Sequence, residues 1–283
     1  MLQYELERAI SLALAAGRDV MGHYATDFVA EEKTGADSFV EPVTEADRSA
    51  SRIIVDGLAI DFPHDAILSE EEEDDAKTRL ASQRVWIIDP IDGTAGFVKR
   101  DGDFSVQIGL AENGVPVLGV VYMPFHRVLT YATKGIGSFA VAAGGVPRRV
   151  TTSANARLAG LTLAMSRNHP SSRMGRIIKE FGFQNVERRG SVGLKVALIA
   201  DRTCDIYIHP GPRTKLWDTC APQIILEEAG GRFTDLFGQQ ITYDRRDLQN
   251  RNGIVASNGP AHTAAIARLK PLLDEFGRGP HAY

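Results

Sequence analysis

Cysteine is nearly missing from this sequence: Cys204 and Cys220 are the only two in 283 residues. Two cysteines so far from any partner at zinc-site spacing make no secreted disulfide framework, and a reducing cytoplasm is the expected home. Long apolar runs are missing as well, none approaching the roughly 18 residues of a membrane span. The N-terminus carries Glu5 and Glu7 among its apolar residues, which is wrong for a signal peptide. There is no basic excess; the formal net charge of −4 argues against a nucleic-acid polymer or an anionic membrane as partner. Internal repeats, low-complexity linkers and coiled-coil heptads are also absent. What remains is an ordinary globular composition, 43% hydrophobic and 24% charged, in a chain long enough for one large domain or two compact ones.

The hydrophobic pattern changes character near residue 150. Leu2, Leu6, Ile10, Ala13, Val20 and Tyr24 recur at helical spacing, and Ile53, Ile54 and Leu58 give the buried face of a second helix. Between these two helices, residues 30–41 are polar and read as a loop or mobile hairpin. Ala66–Ser69 reads as a short strand running into the acidic segment 70–75, most of it a solvated face. Alternating and apolar strands are expected around 104–110, 115–123, 128–132 and 138–142. Residues 1–150 therefore read as an antiparallel-rich α+β half covered by the two early helices. From 151 to 283 strand and helix alternate, ending in a helix over 261–276, which argues for an α/β half.

Trp86-Ile87-Ile88-Asp89-Pro90-Ile91-Asp92-Gly93-Thr94 is the most informative stretch. A buried strand ends there in Asp-Pro and Asp-Gly, which is turn chemistry. Two carboxylates and a run of unpaired backbone N–H groups in one loop suit a hard divalent cation and a phosphate. Two neighbouring signals add acids. Thr44-Glu45-Ala46-Asp47 looks like a helix start, where Asp47 in the first turn also has the plain reading of helix-dipole complementation. Glu70 follows the end of a strand, the position where α/β proteins bind ligands. Two weaker matches are discounted. Asp235-Leu236-Phe237-Gly238 has no Gly-rich nucleotide loop before it, and Gly135-Ile136-Gly137 lacks the third glycine of a dinucleotide fingerprint.

Together with Trp217-Asp218 and Glu228-Ala229-Gly230-Gly231, these signals resemble the inositol monophosphatase superfamily of magnesium-dependent, lithium-sensitive phosphatases over roughly residues 5–275. The resemblance implies a layered α-β-α-β-α sandwich with its site in the cleft between the halves. It implies two or three Mg²⁺ held by Glu70, Asp89, the backbone carbonyl of Ile91, Asp92 and Asp218. Thr94 and Asp47 would orient and deprotonate the attacking water, with no covalent phosphoenzyme. Gly93, lacking a Cβ, would let the phosphate approach the backbone.

Substrate identity is carried elsewhere. The inositol-specific branch has an acidic residue shortly before Trp-Asp, where this chain has His209-Pro210-Gly211-Pro212-Arg213-Thr214-Lys215-Leu216. Arg213 and Lys215 suit a second anionic group, although each reads equally well as a solvated charge. Gly190-Ser191-Val192-Gly193-Leu194-Lys195 places Ser191 and Lys195 at the start of a helix, again suited to phosphate. With Phe97–Phe104 and Ser166-Arg167-Asn168-His169, these segments look like the 3′(2′),5′-bisphosphate nucleotidase branch. His169 itself reads as a loop residue. The substrate implied is adenosine 3′,5′-bisphosphate, the by-product of sulfate activation. The alternatives on the same residues are an inositol monophosphatase or sugar bisphosphatase, a histidinol-phosphate phosphatase and, from another class, a non-catalytic metal-binding regulator. A homodimer is compatible with all of them.

Overall fold

The computed structural model describes residues 2–34, 40–167 and 172–282, and the early helical periodicity appears in it as α1 (Gln3–Tyr24) and α2 (Glu45–Asp61). Between them β1 (Ala30–Thr34) pairs antiparallel with β2 (Val40–Thr44); Gly35 and Asp37 of this segment lie outside the described residues. A seven-stranded sheet follows in sequence order. It comprises β3 (Ala66–Ser69), β4 (Arg84–Asp92), β5 (Ser105–Glu112), β6 (Val115–Met123), β7 (Val128–Thr133), β8 (Gly137–Ala142) and β9 (Arg148–Val150). Only β3 and β4 run parallel, joined by a crossover that contains α3 (Ala76–Ala81). The acidic run is therefore less solvated than its composition suggests. Asp75 caps α3, and Asp74 makes a two-pronged bond to Arg79, whose side chain is 1% exposed.

A second sheet is built from β10 (Thr162–Ser166), β11 (Asn185–Arg189), β12 (Ile206–His209), β13 (Arg232–Thr234) and β14 (Ile254–Ser257) in the order β11-β10-β12-β14-β13. Beyond α4 (Thr94–Val98), the remaining helices are α5 (Ser172–Phe181), α6 (Val192–Ala200), α7 (Leu216–Glu228) and α8 (His262–Glu275). α1 and α2 cover the outer face of the first sheet, α6 and α7 lie between the sheets, and α5 and α8 cover the second. The fold is thus a layered α-β-α-β-α sandwich.

Strand β4 shows why its sequence is apolar without interruption. Trp86 and Ile88 pack with α1 and α2, whereas Val85 and Ile87 face α6 and α7. A strand covered on both faces cannot alternate polar and apolar residues. Each fully buried side chain, such as Ile54, Leu58 or Ile88, contributes about 1.5–3 kcal/mol relative to exposure. The one polar atom of Trp86 is satisfied, its Nε1 donating to Asp65 at 2.9 Å.

Candidate active site

The strand does not stop at Ile88. β4 runs on to Asp92, so the turn expected at Asp89-Pro90 is a β-bulge inside the strand. Its effect is geometric. Asp89 pairs with Gln107 and Asp92 with Ser105, so three steps on β4 are matched by two on β5. In a regular strand, residues three apart point to opposite faces. The extra residue returns Asp92 to the face of Asp89, the same face that carries Val85 and Ile87 toward α7. There the third acid waits in the first turn of α7. Asp218 accepts the Lys215 N–H at 2.5 Å, which fixes its carboxylate at the helix start. One carboxylate oxygen from each of Asp89, Asp92 and Asp218 lies within 4.8 Å of the others.

This is a costly arrangement without a cation. Asp89 is 1% exposed, and its Oδ1 has no hydrogen-bond partner. Burial first, then the charges of Glu70, Asp92, Asp218 and Asp47, push its carboxyl well above the usual range. Glu70 stands at the C-terminal end of β3 on the wall of the same cavity, its N–H donating to the Ile88 carbonyl. An orphaned oxygen amid like charges, in a cluster of three carboxylates, fits a hard divalent cation. The Ile91 carbonyl oxygen lies 3.0 Å from Thr94 Oγ1, whose one proton can go to it or to Asp47, while the Ile91 side chain packs under α1 and α2.

Asp47 reaches this site through Thr94. It is 3% exposed, and its Oδ2 accepts from the N–H and hydroxyl of Thr44 at 2.8 and 2.6 Å, which completes the start of α2. Its Oδ1 accepts from Thr94 Oγ1 at 3.0 Å. Asp47 therefore serves the helix start with one oxygen and the site with the other. Burial raises its pKa to about 6, against the lowering by the Thr44 bonds.

Gly93 precedes the five-residue α4 with φ +97°, and a Cβ there would sit 2.7 Å from the Asp103 carbonyl. The fold thus requires glycine at this position whether or not phosphate approaches it. Gly93→Ala is expected to destabilise the protein by roughly 2–4 kcal/mol, read as a lower urea midpoint. An unchanged midpoint would contradict the close approach of Asp103.

Glu70, Asp89, Asp92 and Asp218 line a cavity of about 180 Å³, shared with Gly93, Thr94, Ser191, Lys195, Arg213 and Lys215. Asp47 is set behind Thr94 rather than on the wall. Arg213 is exposed at the rim and Lys215 is half-buried, its Nζ 5.2 Å from the centre of the Trp217 ring. Ser191 and Lys195 are buried, and their polar atoms are engaged with the protein. Ser191 Oγ caps α6 and donates to Asp92, while Lys195 Nζ reaches the carbonyls of Gly190 and Ser191 and lies over the Tyr207 ring. Burial lowers the Lys195 pKa to about 8, against the raising by Asp92, Asp103 and Asp218. Asn168 and His169 lie outside the described residues. No local motif marks Tyr207 and Pro42 on the cavity wall or Gln107 behind it, and Thr214 lies within the segment before Trp217 without a role read for it. Gln107 sits in a strand whose alternation reads as one solvated face.

A family model described as the inositol monophosphatase family matches residues 1–273. The 3′(2′),5′-bisphosphate nucleotidase CysQ of Salmonella typhimurium is 34% identical over 86% of this chain and 95% of its own length. A fructose-1,6-bisphosphatase/inositol-1-monophosphatase of Thermotoga maritima is 32% identical over 96% of this chain and 98% of its own. The crystal structure of CysQ from Bacteroides thetaiotaomicron superposes with a TM-score of 0.76 at 30% identity, covering 91% of this chain and 98% of that one. Its layers, its acid cluster and these relatives agree: the chain belongs to the inositol monophosphatase family.

Proposed function

We propose that this chain hydrolyses the 3′-phosphate of adenosine 3′,5′-bisphosphate with Mg²⁺ as cofactor. The observation that carries the reading is a single cavity lined both by the clustered acids Asp89, Asp92 and Asp218 and by the cationic side chains of Lys195, Arg213 and Lys215. An acid cluster suits a cation beside a phosphoryl group, and extra cationic side chains suit a second phosphate. The Salmonella relative, named a 3′(2′),5′-bisphosphate nucleotidase, supports a bisphosphate substrate.

In this reading Glu70, Asp89, Asp92, Asp218 and the Ile91 carbonyl hold two or three Mg²⁺, which Li⁺ would displace. Bound there, Mg²⁺ would polarise the phosphoryl and leaving-group oxygens of an in-line displacement. Thr94 Oγ1 orients the attacking water and passes its proton to Asp47, to which it is already hydrogen-bonded. The backbone N–H groups of Thr94 and Ala95, at the open start of α4, face the phosphoryl oxygens. Lys195, which stays largely protonated at neutral pH, supplies positive charge from below, and Arg213 and Lys215 take the 5′-phosphate at the rim. A cytoplasmic location accords with two buried free cysteines.

The test is phosphate release from adenosine 3′,5′-bisphosphate, inositol 1-phosphate, fructose 1,6-bisphosphate and histidinol phosphate. The nucleotide should be preferred, and Lys215→Ala should raise its KM about 10–100-fold, the worth of one charge-assisted bond. The KM for a monophosphate should move much less. Equal effects on both would remove the second-phosphate argument. Preference for inositol or fructose esters would instead favour the activity named for the Thermotoga relative, which matches more of this chain.

A further inference from the structure

One oxygen of Asp92 is held by donors from two layers of the fold. Three donors converge on its Oδ2: the Gln107 amide, the Ser191 hydroxyl at 2.5 Å and the Gly193 N–H at 2.8 Å. They come from opposite layers, Gln107 from β5 in the first sheet and the other two from the start of α6. The Ser191 hydroxyl has a single proton, which goes to Asp92. Its lone pairs accept from the Leu194 N–H at 3.0 Å and from Ser105 Oγ at 2.8 Å.

Two features indicate that the donor on Gln107 is what matters at this position. Gln107 is 0% exposed, and its Oε1 is buried with no hydrogen-bond partner. An unpaired buried amide oxygen carries a desolvation penalty that an apolar side chain of the same size would avoid. Turning the amide over would set oxygen against carboxylate, so Nε2 faces Asp92. The second feature is Gly193. A Cβ there would lie 3.0 Å from Ser105 Oγ and 3.1 Å from Gln107 Cδ, so the missing side chain lets α6 approach β5 closely enough for both donors to share one oxygen.

We propose that Gln107 is a positioning residue for the cation site. With Ser191 and the Gly193 N–H it fills Asp92 Oδ2, so that the carboxylate presents Oδ1 alone to the ion, in a direction fixed by the packing of α6 on β5. A second consequence is that the ligand geometry depends on contact between the two halves of the chain. This inference rests on reading the acid cluster as a cation site, and it holds whichever phosphate ester is the substrate.

The test uses Mn²⁺ as probe in titration calorimetry on the full chain, with Gln107→Met, which keeps the length and removes the donor. Its Kd should rise about tenfold, in the range seen when outer partners of metal ligands are removed, with unchanged stoichiometry. Activity at saturating Mn²⁺ should recover most of the wild-type kcat. Ser191→Ala should weaken binding in the same way, and the double variant further. A residue that only fills space would lower the folded fraction, and hence the stoichiometry, while leaving Kd alone. An unchanged Kd in Gln107→Met therefore overturns the proposal. If that variant does not fold, Gln107→Leu takes its place under the same criteria. Failure of the wild-type chain to bind Mn²⁺ would instead overturn the cation reading itself, and this inference with it.

Discussion

Asp89→Asn is expected to abolish turnover while making the metal-free protein harder to unfold. Both effects come from the same electrostatics. The Asp89 carboxylate is fully buried, bears one unpaired oxygen and faces Glu70, Asp92, Asp218 and Asp47. In the absence of a cation, ionising it is opposed by burial and by four neighbours of like charge. An amide of the same shape removes that opposition and adds an N–H donor for Asp92 or Asp218. The cation would lose a charged ligand, and the fall in kcat/KM should be on the order of a thousandfold or more. Relief of repulsion worth about 1 kcal/mol would raise the melting temperature in EDTA by roughly 2 °C for a chain of this size. The pairing of lost activity with gained stability is the mark of a site strained for function. Near-normal activity would refute the ligand assignment. A lower melting temperature would show that Asp89 is satisfied in a way the orphaned Oδ1 contradicts.

The parts of this site that were legible in the sequence are those whose chemistry is local. Asp89 and Asp92 announce themselves by a strand that ends in acids, Glu70 by its place after a strand and Asp47 by a first-turn position in a helix, whereas Asp218 is legible only through the family resemblance that Trp217-Asp218 carries. The parts that were not legible depend on layers packing on each other. Gln107 looked like the polar phase of an alternating strand, yet β5 is covered on both faces once α7 packs against it, so its polar side chain is inside. Arg79 lay in a charged stretch and is nevertheless buried against Asp74 and the Arg245 carbonyl. The bulge in β4 could not be separated from a turn, because Pro90 and Gly93 serve either. Short elements such as α4 and β13, five and three residues long, fall below the length at which periodicity carries a signal.

The bulge also explains why the acids need not be evenly spaced in the sequence to meet. Asp89 and Asp92 share a face through one extra residue, Asp218 is presented by a helix capped on itself, and Glu70 comes from the parallel neighbour of β4. Each acid is placed by a different local device, and the packing of α7 on the first sheet assembles them. For this reason, substitutions that disturb the α7 packing should weaken cation binding even when they leave every acid in place.

Asp47→Asn and Thr94→Val should lower kcat about 10²–10⁴-fold, the range for loss of a general base, with little change in Mn²⁺ affinity. Asp47 accepts three hydrogen bonds in this structure, two from Thr44 and one from Thr94. An amide can keep the Thr44 bonds through its oxygen, but its NH₂ cannot accept from Thr94. The pair would then lose its proton acceptor while the start of α2 stays intact. The pH dependence has a definite sign. Burial raises the Asp47 pKa to about 6, and only the ionised form can take a proton. Activity is therefore full above that value and falls as pH drops through it. Bound cations, being positive, pull the limb to or below pH 6 in the loaded enzyme. In Asp47→Asn the residual activity should lose this acid limb, and in Thr94→Val the limb should weaken with the rate. Profiles of kcat at saturating Mg²⁺ between pH 4.5 and 8, read with Mn²⁺ titrations, separate this role from ligation. If Asp47→Asn weakened Mn²⁺ binding as strongly as Asp89→Asn, Asp47 would belong with the ligands. If it left kcat unchanged, the carboxylate would be a helix cap alone.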